Sequence, residues 1–221
     1  MKRLAILLVV GLSLLGGAKT ASAQEGFWLG AKAGYGWSST DASTDLEILK
    51  GTDASGGFVA GLSAEGAWYK GLSVQGELLY VRQEAKNTYW GGTNDNGNYQ
   101  GDVSADYAFE TLEIPLLVKY TFATGKLSPF VLAGLNTSIS LNVDSKTEDP
   151  RYTGSEDATD QFAKYWFSLE VGAGAQLEVG NGVFLTLDGR YVHGLGNSAA
   201  QGGDDWKWRD LRVLGGLKVR M

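Results

Sequence analysis

Six acids and six bases stand out in this sequence by their spacing. Glu65, Glu77, Glu113, Glu170, Asp188 and Asp210, with Lys32, Lys119, Arg190, Arg212, Lys218 and Arg220, each occupy the polar side of a run whose alternate residues are apolar. Carboxylates and cations sharing one surface can hold one another as ion pairs, pass protons, or line an ion path. Nucleophilic catalysis asks for more. The only histidine, His193, falls on the apolar side of its run, and no serine or second acid accompanies it at a spacing that would make it a base. The chain has no cysteine, which excludes thiolate nucleophiles, cysteine metal sites and disulfides together. The chain is therefore expected not to be an enzyme.

Two loops invite a metal-ion reading. In TNDNGNYQG, Thr93 to Gly101, aligning Gly97 with the glycine of the EF-hand pattern puts Gly92 where the first carboxylate belongs and Val103 where the last belongs. The pattern fails, and Asn96-Gly97 reads as a tight turn. The loop Val143 to Gln161 carries six acids and two bases, which reads as a solvated charged segment. No metal site and no cofactor are expected.

A repeated alternation positions the charges. Leu112 to Thr121, LEIPLLVKYT, sets Leu112, Ile114, Leu116, Val118 and Tyr120 on one face and Glu113, Pro115, Leu117 and Lys119 on the other, because strand side chains alternate with period two. Eight such runs follow one another from Gly26. The polar faces of the others hold Lys32; Ser63 and Glu65; Ser73, Gln75, Glu77 and Gln83; Asn136, Ser138 and Ser140; Ser168, Glu170 and Gln176; Thr186, Asp188 and Arg190; and Asp210, Arg212, Lys218 and Arg220, many of them spaced by glycine. Each run is expected to be about the 9 to 11 residues that cross a bilayer as a tilted strand.

The connections alternate strictly between short and long. Tyr69-Lys70-Gly71, Thr124 to Ser128 and Gly180-Asn181-Gly182 are short turns, while Ser38 to Gly57, Ala85 to Asp106, Val143 to Gln161 and Leu195 to Trp206 are long and polar. Eight up-and-down strands with both termini at one end need this pattern, and outer-membrane barrels place the short turns in the periplasm and the long loops outside the cell.

Which face turns inward decides the solvent. A soluble barrel would bury the apolar faces, but Trp37, Phe58, Trp68, Tyr80, Tyr120 and Tyr191 lie on those faces towards the strand ends, where interfacial girdles belong. Eight strands leave an interior wide enough only for packed side chains. The expectation is an all-β, eight-stranded antiparallel up-and-down transmembrane barrel with the charges inside. Ten of them, Lys32, Glu65, Glu77, Glu113, Lys119, Glu170, Asp188, Arg190, Arg212 and Lys218, are expected to form a lumenal ion-pair network that holds the barrel together.

The first residues fit export. Lys2 and Arg3 precede an apolar run from Leu4 to Leu15, and Ala21-Ser22-Ala23 is an A-x-A site, so residues 1–23 read as a signal peptide cleaved between Ala23 and Gln24, leaving 24–221 as one barrel domain. That apolar run is too short to span a membrane as a helix. Glycine at 32 residues and proline at 3, without a repeat, suit a tightly curved sheet. The net charge of −6 becomes −9 once Lys2, Arg3 and Lys19 are discounted, which argues against nucleic acid. The four long segments carry essentially all of that negative charge, which favours cations, basic surfaces or a protein partner at the loops.

LSVQGELLY (Leu72 to Tyr80), LEIPLLVKY (Leu112 to Tyr120), PFVLAGL (Pro129 to Leu135), GAGAQL (Gly172 to Leu177) and GRYVHGLGN (Gly189 to Asn197) together resemble the successive strand motifs of the PorT-like outer-membrane β-barrel domain, over roughly Phe27 to Met221. The resemblance implies an eight-stranded barrel in the outer membrane of a Gram-negative bacterium, with outer-membrane lipid around it. The family's namesake takes part in protein secretion. Gly216, Val219 and Met221 give a G-x-x-Φ-x-Φ ending similar to the signal read by the barrel-assembly machinery, with Met221 where a phenylalanine is usual. Three functions follow as expectations: a structural or surface-interaction role in the envelope, an accessory role in secretion, or, were the faces reversed, a soluble periplasmic ligand-binding barrel.

Overall fold

The computed structural model describes residues 26–43, 49–53, 55–90, 102–122, 125–149, 152–157, 164–195 and 205–221. Ten strands lie among the described residues: β1 (Phe27–Ser43), β2 (Leu49–Asp53), β3 (Ser55–Tyr69), β4 (Leu72–Trp90), β5 (Asp102–Thr121), β6 (Leu127–Asp149), β7 (Tyr152–Asp157), β8 (Tyr165–Gly180), β9 (Val183–Gly194) and β10 (Asp205–Arg220). Eight of them form the wall in the order β4-β3-β1-β10-β9-β8-β6-β5, and pairing of β4 with β5 closes it. Every pairing is antiparallel.

The register fixes the geometry of closure. One circuit of paired residues runs Leu29, Ala64, Gly76, Leu116, Leu135, Leu169, His193, Arg209 and back to β1 at Ser39, ten residues above its start. Eight strands with that stagger tilt by about 40° from the barrel axis. At this tilt a strand climbs about 2.5 Å per residue, so about ten residues cross an apolar band of about 25 Å.

The strands are longer than that, 12 to 23 residues in the wall. The expected length of 9 to 11 therefore covers only the membrane-crossing part of each. β4, β5 and β6 continue beyond the band, and the short strands β2 and β7 add to β4 and β6 there. Much of what reads as loop in Ser38 to Gly57, Ala85 to Asp106 and Val143 to Gln161 is thus strand. The cause is local: hydrogen bonds to the neighbouring strand satisfy the backbone whether or not the side chains are polar, so a ladder extends into water where Ser, Thr and Tyr favour it. Asn96-Gly97 and Asp160 lie outside the described residues.

Turn chemistry closes the other end. Lys70 (φ 32°) and Gly71 (φ 88°) both adopt positive φ between the paired Tyr69 and Leu72, the condition for a two-residue hairpin, and Gly182 (φ 78°) serves the β8–β9 turn. Within the wall, a Cβ added at Gly134 would strike the backbone oxygen of Leu116 on the next strand, so inward glycine is what lets these strands coil tightly. Pro115 has the opposite effect. Having no N–H, it interrupts the β4–β5 ladder: Gly76 pairs with Leu116 and Leu79 with Glu113, with no pair between.

Burial follows the alternation. Leu116 is 57% exposed on the outer wall, its neighbour Leu117 is 0% exposed, and the pattern repeats through every wall strand. The outer surface is a continuous apolar belt with Phe27, Trp68, Tyr120 and Phe122 towards one edge and Tyr35, Trp37, Phe58 and Phe167 towards the other. A surface of this extent is stable in hydrocarbon and not in water. No helix among the described residues is long and apolar enough to cross a membrane; this chain crosses with strands.

Candidate functional site: the lumenal ion network

All ten charges assigned to the network by parity point inward and are buried. They form three groups stacked along the axis. Nearest the end where β1 begins and β10 finishes, Glu65 Oε2 accepts from Lys218 Nζ at 2.7 Å and Lys119 Nζ at 3.1 Å, while Ser73 Oγ donates to its other oxygen. The second lysine is surplus to one carboxylate. Aromatic faces compensate: Lys119 Nζ lies 4.1 Å from the Phe130 ring centroid and Lys218 Nζ lies 4.9 Å from that of Trp28.

The middle group is built on Arg190. Its Nη1 and Nη2 grip Glu77 two-pronged at 2.7 and 3.0 Å, its Nε donates to Asp188 Oδ1, and Nη1 also donates to Glu170 Oε1 at 2.7 Å. Lys32 Nζ bridges Glu77 Oε1 at 3.0 Å and Asp188 Oδ2 at 3.1 Å. In the third group Arg212 holds Glu113 two-pronged at 2.6 and 2.9 Å and Asp210 at 2.6 Å. Gln83 Nε2 donates to Asp210 Oδ2, and Asn136 Nδ2 donates to Glu113 Oε2 at 2.6 Å.

Planar guanidinium groups suit this task because one Arg can serve two or three carboxylates at fixed angles. Each group gathers side chains from strands far apart in sequence, so it forms only when the wall has closed. The energetic stake is asymmetric: such pairs add little over apolar packing, but removing one partner strands a buried charge.

Two further residues share the inward parity and meet different fates. Asp210 belongs to the network although it was not among the ten; its inward position two residues before Arg212 was the available signal. Arg220 shares the inward parity but is exposed, because it ends β10 at the rim, below the closed part of the lumen. The neutral partners Ser73, Gln83, Asn136 and Gln176 are at inward positions that the alternation marks without revealing their bonds. The lumen is also partly apolar. Val59, Leu79, Val81 and Leu214 pack together on one side and Leu117, Phe130 and Leu132 on another, filling space that ions would otherwise have to share with water.

Two small cavities adjoin the network. A cavity of ≈ 20 Å³ adjoins Gln83, Thr111, Glu113, Asp210 and Arg212, and one of ≈ 10 Å³ adjoins Lys32, Glu65, Lys119 and Lys218. Glu77, Glu170, Asp188 and Arg190 line neither. Among the described residues no cluster of His, Asp and Glu has the arrangement of a metal site. His193 sits on the outer wall, its ring stacked beside Tyr191 with centroids 6.3 Å apart. At the chain's end, Val219 and Met221 face outward and Gly216 faces the lumen. Ala23 and Gln24 lie outside the described residues.

The sequence matches the outer membrane protein beta-barrel domain over residues 22–200, most of its length. The chain belongs to that family. It is an outer-membrane protein, and the apolar belt is its lipid-facing surface. The match is to this broader domain and does not single out the PorT-like branch. No curated protein matches the chain. Among solved structures, the outer membrane protein OprG from Pseudomonas aeruginosa is similar at 13% identity, covering 91% of this chain and 99% of that one with a TM-score of 0.50. Neisserial surface protein A is similar at 16% identity over 88% and 97%, with a TM-score of 0.48. The outer membrane protease OmpT from Escherichia coli is similar at 12% identity over 93% and 100%, with a TM-score of 0.42. The likeness to OprG speaks to the fold alone, and a barrel fold by itself neither requires nor excludes an enzyme.

Proposed function

We propose that this outer-membrane barrel is a sealed, non-enzymatic wall element of the cell envelope that presents its long acidic segments to the surroundings. The observation that carries the reading is the middle ion group, where Arg190, 1% exposed, draws carboxylates from β4, β8 and β9 across the lumen. The two cavities beside the network, ≈ 20 and ≈ 10 Å³, hold a water or so each and are too small for a hydrated ion. The placement of His193 on the lipid side, away from the lumenal acids, supports a role without catalysis. The extension of β4, β5 and β6 beyond the apolar belt supports the surface role, since it carries the strand ladder past the lipid-facing band. Ala23, Gln24, Gly216, Val219 and Met221 would serve export and assembly.

The test is conductance. Purified barrel reconstituted in a planar bilayer should give no unitary current steps above the protein-free baseline at moderate voltage. Stable ohmic steps would overturn the sealed reading. A role in secretion, as the PorT-like motifs suggest, is separated by deletion of the gene: loss of exported proteins favours it, and envelope sensitivity with normal export favours the structural role.

A further inference from the structure

The lumenal charges do not balance, and they fail to balance where the lumen is driest. The network holds Lys32, Lys119, Arg190, Arg212 and Lys218 against Glu65, Glu77, Glu113, Glu170, Asp188 and Asp210, five cations against six carboxylates. In the Glu65 group the surplus is a lysine, and aromatic rings meet it. In the Arg212 group the surplus is a carboxylate beside the larger cavity, with Gln83 donating to it. In the middle, three carboxylates form ion pairs with two cations, Arg190 and Lys32, and Gln75 Nε2 donates to Glu77; none of the three carboxylates lines either cavity.

Those three are not served equally. Glu77 takes both prongs of Arg190 and a bond from Lys32, and Asp188 takes Nε and the same lysine. Glu170 takes one bond, from an Nη1 it shares with Glu77, and its Oε2 has no protein hydrogen-bond partner although the residue is 0% exposed. A bare carboxylate oxygen in so dry a place costs more than one shared bond returns.

A neighbour shows the matching defect. Asn136, also 0% exposed, points its Nδ2 at Glu113, which fixes the amide's orientation, and its Oδ1 has no partner. Gly134 pairs with Glu170 and Asn136 with Ser168, so Glu170 and Asn136 are diagonal neighbours on one inward face. Diagonal pairs are within reach of long side chains. Each of these two acceptor oxygens lacks a donor, each belongs to a group with one carboxylate more than its cations, and one hydrogen placed between them would serve both.

We propose that Glu170 is a proton-binding site: in the folded barrel it is the neutral acid, its Oε2–H donating to Asn136 Oδ1 while Oε1 accepts from Arg190. The carboxylate takes this proton from solvent as the barrel closes, and no other bond changes. The groups facing it are Lys32 on β1, Glu77 on β4, Glu113 on β5, Asn136 on β6, Asp188 and Arg190 on β9 and Arg212 on β10. The proton joins the Arg190 and Arg212 groups into one hydrogen-bonded chain through Glu170, Asn136 and Glu113. The inference rests on the dry middle group that the sealed reading also uses, yet the two fail separately. A conducting barrel with an acid Glu170 overturns only the seal, and a silent barrel with an ionised Glu170 overturns only the proton.

The measurement is infrared spectroscopy of the folded full-length barrel in lipid vesicles at neutral pH. The expected result is a carbonyl stretch of a protonated carboxylic acid that moves on ¹³C-glutamate labelling and is absent from Glu170→Gln. No acid band in the labelled wild type overturns the proposal, as when a water or sodium ion bridges the two oxygens. A band that labelling does not move, or that persists in Glu170→Gln and vanishes in Asp210→Asn, overturns it too. Unfolding in urea gives an independent arm. Glu170→Gln preserves both hydrogen bonds and should leave the midpoint unchanged, whereas Glu77→Gln should lower it. Equal losses, or a Glu170→Gln chain that cannot fold while Glu77→Gln can, count against it.

Discussion

The two sides of one wall obey different rules. On β5, Ile114, Leu116 and Val118 face outward and meet only hydrocarbon, so each need only be apolar. Their inward neighbours Glu113, Leu117 and Lys119 each answer to particular partners: Arg212 and Asn136, then Phe130 and Leu132, then Glu65 and Gln176. A residue in contact with lipid can be exchanged for another of its class because lipid rearranges. A residue inside cannot, because its partners are fixed by the register of several strands. The contrast extends to ion pairs. Arg212 and Glu113 meet at 2.6 Å in a buried site, while Arg82 and Glu110 lie 3.9 Å apart with the Arg82 side chain 46% exposed.

The strongest challenge to this contrast comes from inside. Glu113→Ala leaves Arg212 with Asp210 alone and removes the acceptor of Asn136, and should cost about 3–5 kcal/mol of unfolding free energy in detergent or lipid. A loss below that of a loop substitution would show that the lumen is wet and its charges solvated. From outside, Leu116→Arg should cost roughly 2–4 kcal/mol, measured by urea unfolding in lipid vesicles, because the guanidinium sits near the middle of the apolar belt. If purified Leu116→Arg folds as well as wild type and stays soluble without detergent, the outer face is not a lipid face. The smallest effect sharpens the comparison between pairs: Arg82→Ala should change stability by less than about 1 kcal/mol, since the exposed pair is screened and loosely held. A cost matching that of Glu113→Ala would erase the distinction between buried and exposed pairs.

Most of the wall was legible in the sequence because a strand's period of two is a local property. Lys32, Glu65, Glu77, Glu113, Lys119, Glu170, Asp188, Arg190, Arg212 and Lys218 could each be placed on the inner face from a few neighbouring residues, without knowledge of any partner. Strand length was less legible. An apolar run marks where hydrocarbon begins and ends, whereas a backbone ladder continues for as long as a neighbour is present to accept it, as β4, β5 and β6 show. Arg220 illustrates the same limit, since parity reports a face and says nothing about whether the barrel is still closed at that height.

The sequence by itself determined which side chains face lipid and which face the lumen, and so the membrane as solvent, because alternation and hydrophobicity act within one strand. Only the tertiary structure decided which acid meets which base. Lys32 and Asp188 are separated by 156 positions in the chain, and what brings them to 3.1 Å is the ten-residue stagger of a closed eight-stranded wall. The same closure leaves Arg190 encircled by three carboxylates, because the number of partners a charge acquires is set by how many strands converge on it.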